Sequence, residues 1–167
     1  MGLRLATIAV LAATAVAAVP AAAATVNAQA KVKVIKPLVL QSVQDFDLGT
    51  IVLRPGSWSG ATVKLARTGV LTCPAVVTCS GATQVAIYNV SGSNGETAVI
   101  IAPNVTLTNQ ADPTKSLTLV VDSPGKVTFT NSGRAGLNFP LGGSIALDSS
   151  TADGDYVGTF NVSVEYQ

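Results

Sequence analysis

The 167-residue sequence contains no histidine, and only 11% of its residues are charged and 5% aromatic. Without histidine, the chain lacks the usual general base of Ser- and Cys-dependent enzymes and the commonest metal ligand. Its 10 Lys and Arg residues face 9 Asp and Glu, so no excess of positive charge indicates nucleic-acid binding. These absences predict a protein that is not an enzyme and has no cofactor, no metal site and no nucleic-acid partner.

The first 24 residues have the pattern of a secretory signal peptide. Arg4 precedes an apolar run over residues 5–19, and Pro20 and four alanines follow this run. A membrane anchor is the alternative, but the run is shorter than the about 20 residues that a spanning helix requires. We therefore predict export and cleavage after Ala24, with Ala30 as a second candidate site.

The chain contains two cysteines, Cys73 and Cys79, on either side of a short apolar loop. An exported chain meets an oxidising compartment, where an even pair of cysteines indicates one disulfide. The alternative, a redox-active pair, needs the Cys-x-x-Cys spacing beside a helix, and this sequence has neither feature. We predict a structural disulfide between the two residues.

After residue 24, short β-branched runs alternate with clusters of Gly, Pro, Asn, Asp and Ser, and no segment keeps a helical period. This pattern predicts an all-β protein, an antiparallel β-sandwich of immunoglobulin-like outline. The predicted strands lie near residues 26–40, 46–53, 61–71, 83–90, 98–101, 106–108, 117–121, 126–130, 144–147 and 156–166.

Both ends of the exported chain alternate apolar and polar residues. The apolar positions near the N-terminus are Val26, Ala28, Ala30, Val32 and Val34. Those at the C-terminus are Tyr156, Gly158, Phe160, Val162, Val164 and Tyr166. Because successive side chains of a strand point to opposite faces, each end predicts a strand with one apolar face. The N-terminal alternation stops before Pro37, so we predict an extension over residues 25–35 and one sandwich domain over residues 36–167.

An extension of this kind has two ordinary fates. It can pair inside its own sheet, or it can be donated to the sheet edge of another molecule. The pattern alone favours the first fate, because exposed sheet edges are normally blunted.

Five segments, in this order and spacing, resemble the DUF4402 family of secreted, single-domain bacterial β proteins. They read PLVL at 37–40, DFDLGTI at 45–51, AIYNVSG at 86–92, LGGSIAL at 141–147 and GDYVGTFNVSVEY at 154–166. The family in turn resembles fimbrial subunits that are assembled by the chaperone–usher route. Their apolar, alternating C-terminal strand with a tyrosine next to last is similar to the one found here.

The resemblance implies a sandwich that lacks one strand, so that its core is open beside the C-terminal strand. A periplasmic chaperone would fill this groove first, and at the outer-membrane usher the extension of another copy would replace the chaperone. The implied donor residues are Val26, Ala28, Ala30, Val32 and Val34. The implied acceptor groove includes Phe160, Val162, Val164 and Tyr166. The chain would be a structural subunit of a fimbria, exported through the periplasm to the bacterial cell surface.

A second interpretation is a monomeric, secreted sandwich that binds carbohydrate. The single tryptophan, Trp58, lies in a loop of small residues, and an exposed indole there could stack on a sugar ring. The alternative, which is the favoured interpretation of this residue, is a ring that folds back over the end of the sandwich. The mass of the native material separates the two functions, since a fibre subunit forms very large species and a binding module stays monomeric.

Overall fold

A computed structural model describes residues 23–130 and 135–167, and the chain divides into two units, Met1–Lys33 and Val34–Gln167. In the first unit, the described residues 23–33 belong to no helix or strand and their side chains are exposed. The predicted signal peptide falls almost wholly outside the described residues. Where the chain is described, it has no helix long and apolar enough to cross a membrane.

The second unit has thirteen β-strands and no helix within its described residues. The strands are β1 Val39–Gln44, β2 Thr50–Leu53, β3 Ala61–Leu65, β4 Leu71–Thr72, β5 Val77–Ser80, β6 Ala86–Ser91, β7 Thr97–Ile101, β8 Val105–Asn109, β9 Ser116–Asp122, β10 Lys126–Thr128, β11 Leu137–Leu147, β12 Tyr156–Val157 and β13 Ser163–Tyr166. The strands pair antiparallel throughout. The predictions of an all-β chain and of antiparallel sheets are therefore confirmed.

The strands form three sheets. The largest has eight strands in the order β1-β6-β11-β9-β8-β12, with β3 on β11 and β4 on β3, and it curls into a half-barrel. A second sheet has the order β10-β7-β13, and a third pairs β2 with β5.

The long strand β11 organises the largest sheet. It pairs with β6 over its first half, with β3 over its second half, and with β9 around the middle. The partner changes at Gly142 and Gly143. A Cβ on Gly142 would lie 2.5 Å from the Leu65 carbonyl oxygen, and one on Gly143 would lie 2.7 Å from Leu119 Cδ1. Glycine is therefore required where β3 and β9 approach β11 this closely.

The prediction of one strand over residues 26–40 is wrong for residues 26–38. None of these residues forms a strand, and the first pairing begins at Val39. A strand exists only where a neighbour supplies the ladder of hydrogen bonds, and an alternating sequence cannot supply that neighbour.

The prediction of one strand over residues 156–166 is also wrong, because the segment belongs to two sheets. Its first two residues form β12 and pair with β8, whereas its last four form β13 and pair with β7. The chain passes from one sheet to the other between them. Other boundaries differ as well: a turn divides 61–71 after β3, and β11 begins seven residues before the predicted 144. Strand β5 has no counterpart among the predicted strands.

The predicted disulfide between Cys73 and Cys79 is present. It does not close a single hairpin, because β4 pairs with β3 and β5 pairs with β2. The bond therefore joins the eight-stranded sheet to the two-stranded one.

The buried side chains form two clusters. The first cluster contains Ala61, Val63, Val77, Val105, Leu119, Ile145 and Leu147. The second cluster contains Ala86, Val90, Ala98, Ile100, Phe129, Phe139 and Leu141. Strand β11 contributes to both clusters, so its two halves carry the two parts of the core.

Candidate functional site

The C-terminal strand β13 is the edge of its sheet. It pairs with β7 from Ser163, opposite Ile101, to Tyr166, opposite Ala98, and it has no second neighbour among the described strands. Burial alternates along the whole C-terminal segment, as the sequence predicts. Phe160, Val162, Val164 and Tyr166, the residues predicted to line an acceptor groove, are half-buried, whereas the intervening side chains are exposed.

Strand β1 is the edge of the eight-stranded sheet. It pairs with β6 alone, from Val39 opposite Ser91 to Gln44 opposite Ile87, and a bulge interrupts the register at Val43. Because a bulge bends an edge strand and ends regular pairing, the regular part of β1 is short. The half-buried side chain of Leu40 packs against the second cluster.

The two edges border the same cluster without pairing with each other in the described chain. We call this border the seam and define it by the half-buried apolar side chains that pack there: Leu38, Leu40, Phe46, Phe160, Val162, Val164 and Tyr166. The first three come from β1 and its flanks, and the other four from β13 and the residues before it. The centre of the same cluster is fully enclosed, since Val90, Ala98 and Leu141 are each 0% exposed.

Direct contacts join the two sides of the seam at both ends. At one end, the rings of Phe46 and Phe160 lie 5.8 Å apart, centroid to centroid. At the other end, the Tyr166 hydroxyl donates a hydrogen bond to the Lys36 carbonyl over 2.7 Å and accepts one from the Ser93 N–H over 2.9 Å. Lys36 precedes β1 and Tyr166 ends β13, so β1 begins at this end of the seam and β13 finishes there. The two strands therefore run in opposite directions along the seam.

A stacked aromatic pair supports the cluster beneath β1. Tyr88 and Phe139 lie opposite each other on β6 and β11, with ring centroids 5.9 Å apart. Burial, and secondly the Asp45 carboxylate, raises the pKa of Tyr88 above its usual 10.0, while a hydrogen bond with Ser42 acts in the opposite direction. Tyr88 is therefore a neutral hydroxyl at ordinary pH, beside the edge strand.

The predicted donor residues do not lie in any strand. Val26, Val32 and Val34 are 91%, 88% and 86% exposed, and Ala28 and Ala30 are exposed as well. An apolar face is thus present in the sequence of this segment and is uncovered in the described chain. The donor role of these residues stays a prediction.

Trp58 packs against the first cluster, as do the seam residues Phe46 and Phe160. Its indole N–H donates to the Arg54 carbonyl over 3.0 Å, and its backbone carbonyl accepts from the Ser149 N–H over 3.1 Å. The ring is half-buried, so its hydrogen-bonding edge is already used inside the protein. A depression of about 340 Å³ lies elsewhere, lined by residues such as Thr114, Asp148 and Tyr156.

The described residues contain no group of three or more Cys, Asp or Glu side chains placed to hold a metal ion. The carboxylate of Asp148 accepts hydrogen bonds from Ser150 and Thr151 of its own loop. These bonds lower the pKa of Asp148 below its usual 3.8. The loop that follows β11 is thus organised by its own hydroxyl and N–H groups.

The alternating C-terminal sequence predicts the half-buried side chains before and along β13, whereas no sequence pattern predicts those around β1. Leu38 and Leu40 lie at the end of the strand predicted over residues 26–40, and no pattern in the sequence marks Lys36 or Ser93. The placement of Ser93 and Lys36 depends on hydrogen bonds with Tyr166, from which they are separated in sequence by 73 and 130 positions, respectively. The one local signal was the tyrosine next to last.

The fold is that of an all-β protein with antiparallel sheets, in which two sheet edges from different sheets border one apolar cluster. The profile of one family, described as a domain of unknown function (DUF4402), matches residues 38–166. Since this match covers well over half of the chain, the chain belongs to the DUF4402 family. No curated protein and no solved structure matches it.

Proposed function

We propose that this protein is a structural subunit of a surface fimbria, in which residues 25–34 of one copy fill the seam of the next. The observation that carries the proposal is the seam itself, where the edges β1 and β13 border an apolar cluster and do not pair with each other in the described chain. The proposed fold is an immunoglobulin-like sandwich that lacks one strand, and a neighbouring copy supplies it.

The backbone of β13 supports this proposal. A strand with one neighbour leaves half of its N–H and C=O groups without a ladder partner, and such an edge readily accepts another chain. Natural edges are usually protected by lysine, proline or a covering loop. Strand β13 reads Ser-Val-Glu-Tyr, so it has no lysine or proline, and Glu165 is its single charge.

The side chains of the extension match the seam in their alternating pattern. The donor positions 26, 28, 30, 32 and 34 repeat every second residue, as do the half-buried positions 160, 162, 164 and 166. Burying three Val and two Ala side chains contributes about 6 kcal/mol before the entropy cost of association. Because each copy has both an extension and a seam, the contact is head-to-tail and does not close, which gives a filament.

The assembly partners follow from the resemblance to chaperone–usher subunits. A periplasmic chaperone would cover the seam until assembly, because an uncovered apolar edge invites aggregation. An outer-membrane usher would then exchange the chaperone strand for the extension of another copy. The final location would be the bacterial cell surface.

The proposal is tested by removing the extension. A variant that lacks only residues 25–34 should still be exported and should bind the chaperone, but it should form no multimers. Multimers that resist dissociation are measured by gel electrophoresis without boiling and by electron microscopy. Filaments formed by the deletion variant would contradict the proposal.

A single substitution tests the register of the donor. Val32→Asp places a charge on the apolar face, and burying it unpaired costs about 3 kcal/mol or more. We expect a loss of multimers. Gln29→Asp adds the same charge to the polar face of the extension, so this control should assemble normally. Equal assembly of both variants would overturn the assigned face.

A further inference from the structure

A depression of about 340 Å³ lies at one end of the eight-stranded sheet. Thr114 and Lys115 line it from the loop between β8 and β9, and Asp148 and Thr151 line it from the loop after β11. The side chain of Tyr156, on the edge strand β12, contributes to the same lining. None of the lining residues in the described chain belongs to the seam, so this depression is a separate feature of the surface.

A buried amide joins the two loops beside the depression. Asn109 is a polar side chain that is only 1% exposed. Its Nδ2 donates to the Asp153 carbonyl over 2.8 Å, and its Oδ1 accepts from the N–H groups of Ala111 and Asp112. A Cβ on Gly154 would lie 2.6 Å from the same Nδ2, so glycine is required there. Because a fully bonded buried amide fixes the groups around it, the two loops are held in one arrangement.

Further hydrogen bonds hold the loop after β11 in place. The Ser149 N–H donates to the Trp58 carbonyl over 3.1 Å, and the Ser149 hydroxyl accepts from the Trp58 N–H over 3.3 Å. The Tyr156 hydroxyl donates to the Ala152 carbonyl over 2.9 Å. Both sides of the depression are therefore ordered before any ligand binds, which lowers the entropy cost of binding.

The hydroxyl protons at the depression are already used within the protein. Asp148 Oδ1 accepts from the hydroxyls of Ser150 and Thr151, and Asp112 Oδ1 accepts from the hydroxyl of Thr114. The bonds from Ser150 and Thr114 lower the pKa of these two carboxyl groups below the usual 3.8, so both are ionised acceptors at ordinary pH. A hydroxyl that donates its one proton has only lone pairs left. These three hydroxyls can therefore only accept from a ligand.

The lining determines which ligand chemistry fits. It contains one ammonium, from Lys115, and one carboxylate, from Asp148, so it carries no net charge. A ligand must therefore donate to the hydroxyl oxygens and accept from the ammonium, and sugar hydroxyls do both. The C–H face of a sugar ring can also lie on the ring of Tyr156. A carboxylate ligand has no proton to donate, and an apolar one would leave the polar lining without partners.

We infer that this depression binds a neutral saccharide unit, with Lys115 as donor, the loop hydroxyls as acceptors and Tyr156 as the apolar surface. Its volume is at the lower end of the about 300–1,000 Å³ of ligand pockets, which suits one or two sugar rings. The inference goes beyond assembly and does not depend on the seam. In a filament, the site would be repeated in every subunit, so weak single contacts would add up to firm attachment.

The test fills the depression in one variant and removes its cation in another. Ala146→Trp places a large side chain at an exposed lining position on β11. Val52→Trp is its matched control, because Val52 is also exposed but lies on β2, in another sheet. Lys115→Met removes the ammonium, and Lys64→Met makes the same change at an exposed lysine on β3 outside the lining. The denaturation midpoint of each purified full chain shows whether it is folded.

Binding is measured by saturation-transfer difference NMR, which detects millimolar affinities for monomers and filaments alike. The probes are three sets of methyl glycosides, those of neutral hexoses, of N-acetylhexosamines and of uronic acids. We expect transfer to at least one of the two neutral sets. The signal should fall several-fold for Ala146→Trp and Lys115→Met and should be unchanged for Val52→Trp and Lys64→Met.

Three results would overturn the inference. They are no transfer to any probe, equal transfer for the wild type and all four folded variants, and transfer to the uronic acids alone. The second result would place the bound sugar elsewhere on the protein, and the third would contradict a neutral ligand. None of them bears on the formation of multimers, so the fimbrial function is tested separately by deletion of the extension.

Discussion

The two core clusters of this protein have different borders. The first draws most of its buried residues from β3, β8, β9 and β11, each of which has a strand on both sides, and the disulfide and the half-buried Trp58 lie over it. The second is also enclosed at its centre, but β1 and β13 border it with single neighbours among the described strands. Strands with one neighbour also border the first cluster, through Val77 on β5 and Ile51 on β2, but there the disulfide joins two sheets, whereas β1 and β13 have no covalent link.

In the proposed assembly, the two clusters therefore have separate roles. Covalent and strand-to-strand closure of the first cluster stabilises the isolated body. The second cluster retains half-buried apolar side chains along the seam, and in the proposed assembly another copy supplies further burial there. The exposed alternating segment at residues 26–34 has the apolar pattern to provide that burial.

A matched pair of substitutions tests this division with the largest expected effect. Val63 in the first cluster is 0% exposed, whereas Val164 at the seam is half-buried. We expect Val63→Ala to lower the free energy of unfolding by about 2 to 3 kcal/mol in monomer and fibre alike. Val164→Ala should cost about 1 kcal/mol in the monomer and more in the fibre. Denaturant unfolding of the two states measures both values.

Equal destabilisation of the monomer by Val164→Ala and Val63→Ala would contradict the distinction between the first cluster and the seam. That result would mean that the second cluster is already closed in the single chain. Val90→Ala is an internal control, because Val90 is 0% exposed at the centre of the second cluster and should behave like Val63.

Removing the disulfide gives the next largest effect. In the chain-entropy description, so short a loop contributes about 2 kcal/mol. The double variant Cys73→Ser, Cys79→Ser should therefore unfold at lower denaturant concentration. The disulfide lies at the first cluster and not at the seam. Fibres of the double variant, formed at denaturant concentrations below its unfolding midpoint, should therefore dissociate at the same rate as wild-type fibres. Faster dissociation of these fibres would show that the clusters are coupled.

Sequence patterns predicted local features well and pairing partners poorly. Burial alternates from Tyr156 to Tyr166 as the polar and apolar residues do, because side-chain direction is a local property of extended chain. The break between β12 and β13 was not predictable, since it depends on which distant strand each half meets. Strand β11 passes through Pro140, which a local interpretation treats as a strand breaker.

For the same reason, the sequence predicts only the C-terminal side of the candidate site. The predicted groove residues Phe160, Val162, Val164 and Tyr166 follow from the alternation and from the family resemblance. Leu40 and the bonds of Tyr166 to Lys36 and Ser93 become apparent only once β1 and β13 border the same cluster. Contacts between positions so far apart in sequence leave no local pattern.

The most direct measurement is the thermal unfolding of the chain lacking residues 25–34, with and without a synthetic peptide of those residues. At a peptide concentration about 100-fold above Kd, binding to the folded state should raise Tm by roughly 10 °C. A peptide carrying Val32→Asp should raise it far less. An unchanged Tm with the wild-type peptide at saturating concentration would contradict the claim that the seam accepts this strand.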